Sequence, residues 1–412
     1  MGERPGKYPE EPTQSSQPDK IQQTADPRPH SVVLDALRGI ALLGIVVTHA
    51  KTVWDKSAPN SLSLSLSGID LFETYTNLWG VFGLTLFFLL SGYLLTWTEG
   101  MRASRGNYSL RSYAFRRALR LIPAYYAALA FIFLLRLAGL KAGGDLPTLT
   151  HTLVYLGVFQ SFWPEPQPSM GFDATYWYLT SEVVFYALLP IVVLKIRGLY
   201  GRLVLFGALV AVAAVTDVFI YMSFSADAGF LPYYLGGLPS THLWIFMAGV
   251  LLRTFVERLE EKRPGDSWPT LAFSLFAGSL AFVVLLPFGP LLEVSHNIGV
   301  HPMTVLFFAA FPFFVAAVLG SPVLSRVLSW RLLGFVGVIS YSFYLLHTTF
   351  LMLAGGLILR SRLLKPVLKH LHGPELWIAF AGYLGVMLVV IGAIAYLSYR
   401  YIESPFLRYK PK

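Results

Sequence analysis

Three residues able to do chemistry stand in one apolar stretch: Asp35, Arg38 and His49, within Leu34-Asp35-Ala36-Leu37-Arg38-Gly39-Ile40-Ala41 and its continuation to Thr48-His49. An imidazole titrates near neutrality and can take the proton of a hydroxyl. A carboxylate can fix its tautomer, and a guanidinium can hold a phosphate or another carboxylate. On a helix each residue turns about 100° and rises about 1.5 Å. Arg38 and His49 then share a face to within about 20° and lie about 16 Å apart, with Asp35 about 40° to the other side and about 20 Å from His49. Ionisable groups are costly in a bilayer, so such a stripe faces a protein interior or a water-filled cavity. The alternative is that Asp35 and Arg38 anchor the helix at the membrane interface and His49 is a hydrogen-bonded packing residue.

Five further stretches carry polar groups in or beside apolar runs. In Arg116-Arg117-Ala118-Leu119-Arg120-Leu121-Ile122-Pro123 the pair Arg117 and Arg120 falls at i, i+3 on one helix face. That spacing suits bidentate recognition of phosphate, although arginines beside a span also serve topology alone. Ser91 and Gly92 close the run Phe87-Phe88-Leu89-Leu90. A nucleophilic serine would need a base and an oxyanion hole, and nothing local supplies them, so Ser91 reads as a polar bundle residue. Glu182 follows Trp177-Tyr178-Leu179-Thr180-Ser181 and needs a cationic or imidazole partner inside the bundle. His347 closes Ser340-Tyr341-Ser342-Phe343-Tyr344-Leu345-Leu346. The tail of the last apolar run, Tyr401-Ile402-Glu403-Ser404-Pro405, reads as a helix stop, because the residue before proline disfavours the helical region.

The elements that position these groups follow from composition. The 412 residues are 55% hydrophobic and 13% charged, against roughly 25% charged in soluble domains. Apolar runs at about 32–54, 78–97, 121–140, 175–195, 201–222, 238–255, 270–288, 303–320, 335–358 and 376–399 predict an all-α polytopic bundle of about ten transmembrane helices. The run 148–162 is too short to span and reads as a re-entrant or interfacial helix. Residues 1–30, rich in Pro, Gln, Ser and Lys, read as a disordered cytoplasmic tail ahead of a transmembrane domain over 31–408. No cleavable signal pattern precedes the first span, which reads as a signal anchor.

A net charge of +9 does not imply nucleic acid, since the basic residues are spread over short loops beside the spans. Arg102, Arg105, Arg111, Arg116, Arg117 and Arg120 place the second loop in the cytoplasm, and with an even helix count both termini follow. The loop at 359–375 opposes the bias, because Arg360, Arg362, Lys365 and Lys369 would lie outside. Absence of cysteine excludes thiol chemistry, disulfides and cysteine-based metal sites. No metal site is expected, since the sequence has no helical histidine pair with a glutamate, and it has no glycine-rich phosphate loop.

In this order the motifs resemble the acyltransferase-3 family of integral membrane acyltransferases. The shared pieces are Leu-Asp-x-Leu-Arg-Gly-Ile-Ala with a downstream His, Phe-Phe-x-x-Ser-Gly-Tyr-Leu, Arg-x-x-Arg before Pro, Trp-x-Leu-x-x-Glu-x-x-Phe-Tyr, Ser-Tyr-x-x-Tyr-Leu-x-His and Ile-Glu-x-Pro. The resemblance implies transfer of an acyl group, often acetyl, from acyl-coenzyme A to a hydroxyl of a cell-surface glycan or glycosylated metabolite. It implies no bound cofactor and a bacterial inner membrane. It makes His49 the essential histidine and Arg38 its partner arginine. Arg117 and Arg120 become the donor-binding pair, with Arg38 expected to join them in holding the donor's phosphates, and Glu182 the first acid of its motif. Many members carry a second acid next to that glutamate, whereas this chain has Val183. With His49 as general base, Asp35 or Glu182 is the expected support, and the 20 Å gap favours Glu182. A proton-coupled transporter of a small molecule is the alternative reading of the same intramembrane charges.

Overall fold

The computed structural model describes residues 2, 29–66, 69–140, 144–164, 171–225, 235–262, 315, 318–319 and 321–409. The expected tail over 1–30 lies almost wholly outside them. The described chain is helical apart from a two-residue antiparallel ladder, Ser65–Leu66 with Ile69–Asp70. Its main helices are α1 (Pro29–Ser57), α2 (Leu71–Ser104), α3 (Leu110–Leu137), α4 (Leu149–Leu156), α5 (Trp177–Leu194), α6 (Leu199–Ser225), α7 (Leu243–Lys262), α8 (Arg331–Val338), α9 (Ser340–Phe350) and α10 (Pro374–Ser398).

Seven stretches among the described residues are long and apolar enough to cross a membrane: Val32–Ser57, Trp79–Ser104, Leu110–Leu137, Ala174–Leu194, Leu199–Ile220, Ser340–Leu359 and Pro374–Arg408. The expected count of about ten is not tested by these seven, because two of the expected spans fall wholly or largely outside the described residues. At the span expected over 238–255 there is a helix, α7, but it is not among the seven: its second half carries Arg253, Glu257 and Arg258. The span at 270–288 lies outside the described residues, and of 303–320 only Val315, Val318 and Leu319 are described, all buried. The chain is an integral membrane protein. Helix α6 shows the physical reason for its surface: Val204, Val212, Val215 and Phe219 are about half exposed. Apolar side chains belong outside where the solvent is hydrocarbon, and the helix satisfies its own backbone there.

The segment 148–162 does not span. Thr148 caps α4 by accepting from the His151 amide at 3.2 Å, and the helix ends after eight residues. Prolines inside α3 (Pro123) and α5 (Pro190) leave both helices continuous, as neighbouring helices permit within a membrane bundle.

Small residues let α1 meet its neighbours closely. Gly83 of α2 backs directly onto the Ala41 carbonyl, and Gly337 of α8 onto that of Asp35. Without a hydrophobic drive between helices in lipid, such close approach is a main source of association. Gly337→Ala should therefore destabilise the α1–α8 crossing by about 1–3 kcal/mol through overpacking, read as a lower thermal midpoint of the detergent-purified protein.

These crossings set direction and level. Residues near 83 lie beside 41 and Gly80 beside Thr48, so α2 is antiparallel to α1. Val32 meets Gly334, Asp35 meets Gly337 and Ser57 meets Gly356, so the stretch from α8 to Leu359 runs parallel to α1. A π-helical turn, Leu351–Gly355, is absorbed along the way. This parallel run brings His347 level with His49.

Candidate active site

The arginine-x-x-arginine face of α3 opens onto a cavity of about 280 Å³. Its polar lining comes from Asp35 and Arg38 on α1, Ser91 and Thr98 on α2, Arg117 and Arg120 on α3, and Glu182 with Tyr178 and Tyr186 on α5. Ser340, Tyr341 and Tyr344 of α9 close the remaining side. Most of the residues singled out by their types and spacing are thus gathered around one void. His49 and His347 are not in that lining.

The three guanidiniums are paired unequally. Arg38 donates to Asp35 at 2.9 Å, one turn away on α1. Arg120 donates to Glu403 Oε1 at 2.5 Å, while Ser342 donates to Oε2 of the same carboxylate at 2.8 Å. Arg117 reaches only to 3.9 Å from Glu99. Glu99, fully buried, already accepts from Arg102 at 2.5 Å and Arg116 at 2.9 Å. Arg117 is instead seated by the rings of Tyr113 and Tyr186, 6.0 and 5.8 Å from its guanidinium carbon. Cation–π contacts hold a guanidinium in place while leaving its N–H fork available. Arg117 is the cavity's most available cation.

Glu403 overturns one expectation. The chain does not stop before Pro405: a π-helical turn, Tyr399–Glu403, leads directly into a helical turn, Ser404–Arg408. Proline tolerates the first turn of a helix, where its missing N–H has no partner to lose. The wide turn swings Glu403 inward, where it is 1% exposed. Its partner Arg120 is 283 residues earlier. Apolar patterning alone does not mark such a pairing.

Glu182 is buried and accepts from Tyr186 at 2.5 Å. Neither it nor Asp35 makes a described contact with His49. Both acids expected to support the histidine lie in the cavity with the arginines.

Within the lining, Tyr178 and Tyr344 form a wall, with ring centres 5.4 Å apart and Tyr178 stacked on Phe88 at 4.5 Å. Tyr344 also touches the His347 ring at 5.5 Å, and His347 faces His49 at 5.2 Å. Tyr344 therefore links the arginine cavity to the histidine pair.

A loop closes the histidine end. Arg136, in the last turn of α3, donates to the carbonyls of Gly171 at 2.6 Å and Phe172 at 2.8 Å. The next residue, Asp173, is buried and accepts from the Thr175 amide and hydroxyl, at 2.9 and 2.7 Å, and from Thr348 beside His347. Tyr176 donates to the Leu345 carbonyl and Tyr344 to that of Thr175, fastening this loop to α9. Periodicity could not flag Asp173, which precedes a helix instead of lying on an apolar face. Glu99 did leave a signal, an acid at the end of the apolar run after Trp97.

Residues 32–397 match the family described as "Acyltransferase domain". Among curated proteins, the chain is similar to nodulation protein 10 of Rhizobium leguminosarum bv. viciae. That match is 31% identical and covers 56% of this chain and 62% of the relative. A Staphylococcus aureus protein named for O-acetyltransferase is 25% identical, over 90% of this chain and 56% of its own length. Acyltransferase MdmB of Streptomyces mycarofaciens is 26% identical, covering 80% of this chain and 81% of the relative. The chain spans about three fifths of the length of the first two relatives, 62% and 56%. No solved structure matches. With the family match running from the first span to the end of α10, the chain belongs to the acyltransferase-3 family of integral membrane acyltransferases.

Proposed function

We propose that this protein is an O-acyltransferase that moves an acyl group, acetyl in the simplest case, from acyl-coenzyme A to a hydroxyl of a carbohydrate or glycosylated acceptor. The observation that carries the reading is the cavity lined by Arg38, Arg117 and Arg120, which ends at Tyr344 against the histidine pair. The names of the O-acetyltransferase and acyltransferase relatives support the same class.

In this reading Arg117 binds donor phosphate through its available fork. Arg38 and Arg120, braced by Asp35 and Glu403, supply further positive charge. The donor's thioester end extends past Tyr178 towards Tyr344. An alcohol is a weak nucleophile near neutrality and needs a base as it attacks. His49 takes the hydroxyl proton while the oxygen bonds to the thioester carbonyl carbon. The carbon–sulfur bond then breaks, and the departing thiolate takes that proton to leave as coenzyme A thiol. In this reading the arginine end faces the cytoplasm, where acyl-coenzyme A is made, with both termini on that side; the positive loops beside the spans support that orientation. The acceptor enters from the opposite end, and a bacterial inner membrane is the setting.

Donor binding tests this reading without knowledge of the acceptor. Coenzyme A and acetyl-coenzyme A should raise the thermal midpoint of the purified protein. Arg117→Ala should weaken that binding about 10–100-fold, the worth of a hydrogen bond to a charged group. A protein indifferent to both ligands would instead be a carrier of some other molecule.

A further inference from the structure

His347 is fully buried in the last turn of α9. Its Nδ1 lies 2.6 Å from the Tyr344 carbonyl. A carbonyl only accepts, so Nδ1 carries the proton, and a neutral ring must keep its lone pair on Nε2. That Nε2 is buried and has no hydrogen-bond partner among the described residues. An unpaired buried polar atom costs about 1–3 kcal/mol, and natural structures keep few of them. Such an atom in a site implies a partner that arrives during function. The ring facing it is His49, 5.2 Å away between centroids and tilted by 54°.

The nearby carboxylates are committed elsewhere. Asp35 holds Arg38, Glu182 accepts from Tyr186, and Glu403 joins Arg120 to Ser342. Asp173 accepts from Thr175 and Thr348. A free carboxylate against His49 would also be an unpaired buried charge whenever His49 is neutral, which is expensive in low dielectric. A neutral imidazole carries no such penalty and still offers a lone pair.

We infer that His347 is the positioning residue of the transfer, accepting through Nε2 the N–H of His49 as His49 takes up the acceptor's proton. The inference rests on the acyl-transfer reading. The proton leaves the acceptor hydroxyl for one nitrogen of His49 and later goes to the thiolate sulfur. While the proton resides on His49, the other nitrogen of His49 donates to His347. His347 neither gains nor loses a proton, because its Nδ1–H stays on the Tyr344 carbonyl. It orients the base and shares its transient charge, the part a carboxylate plays in a Ser-His-Asp triad.

The test compares wild type, His347→Phe and His347→Gln as full-length protein in lipid nanodiscs. Acetyl-coenzyme A is the probe, with water or methyl glycosides as acceptors. The chain has no cysteine, so a thiol reagent reads only released coenzyme A. His347→Phe should lower kcat by about 100-fold or more, with the affinity for acetyl-coenzyme A unchanged. His347→Gln, whose amide oxygen still accepts, should recover at least about 10-fold of that loss. A purely packing role would make the isosteric apolar ring the better substitute. Two results overturn the inference: His347→Phe turning over within about 3-fold of wild type, or His347→Gln as slow as His347→Phe while binding the thioester normally. If the phenylalanine variant fails to bind acetyl-coenzyme A, it has lost its fold, and the glutamine variant decides alone. Wild type that neither binds nor cleaves the thioester defeats the acyl-transfer reading itself, an outcome distinct from failure of His347's role.

Discussion

His49→Ala should cut transfer from acetyl-coenzyme A by about 10²–10⁴-fold, the usual contribution of a positioned general base. The donor should still bind, because no arginine of the cavity touches His49 and the ring lies behind Tyr344. A loss confined to kcat separates chemistry from binding. Turnover measured as coenzyme A thiol release, beside a thermal shift by the thioester, reads both halves of the expectation. Equal loss of binding and turnover would place His49 in the donor site instead.

Glu403→Ala should produce the largest loss of stability among single substitutions at the site. Glu403 is 1% exposed and holds Arg120 at 2.5 Å and Ser342 at 2.8 Å. Removing it strands the guanidinium, and breaking a buried pair in this way costs about 3–5 kcal/mol. It also unfastens α3 from α9 and from the end of the last span. Replacing both partners, Arg120→Met with Glu403→Met, should recover much of that stability, since apolar residues of similar volume often substitute for a buried pair without loss. The double variant should nonetheless bind acetyl-coenzyme A more weakly than wild type, because a cation is gone from the cavity. Thermal melting and thioester titration of the two variants side by side separate the structural role of the pair from its electrostatic one. Equal midpoints for Glu403→Ala and wild type would contradict the pairing.

These two expectations differ in how far the amino-acid pattern foretold them. Helical periodicity alone set Asp35, Arg38 and His49 on one side of α1, and the spacing of Arg117 and Arg120 put them on one face of α3. Asp35, Arg38, Arg117 and Arg120 line one void, whereas His49 lies outside that lining and against His347. What periodicity lacks is the partner, because a pairing depends on which helix lies alongside. Asp35 was a candidate support for His49 but is taken by Arg38, one turn away and nearer than any histidine. Glu182 is level with the arginines and held by Tyr186. Glu403 was hidden by Pro405, which marks a helix stop in a linear reading. In the fold a π-helical turn carries the chain past it. Asp173 precedes α5 in a loop that takes its place only through Arg136, Tyr176 and Tyr344. The expected span count rested on apolar length, and α7 shows how a helix of 20 residues can join the bundle while carrying charges along its second half.

The central claim is that the arginine cavity holds the donor with its sulfur end at Tyr344, and a cysteine-free chain allows a direct measurement of it. A single cysteine placed by Tyr344→Cys, offered coenzyme A as its disulfide, can be trapped by thiol–disulfide exchange and weighed as intact protein. A control cysteine by Leu363→Cys sits at a position 84% exposed between the spans Ser340–Leu359 and Pro374–Arg408. The expected result is a mass gain of one coenzyme A at Tyr344→Cys alone, blocked by excess acetyl-coenzyme A and weakened by adding Arg117→Ala. Contradiction would be a folded Tyr344→Cys protein that stays unmodified, or one that is labelled no faster than the Leu363→Cys control and without competition by the thioester.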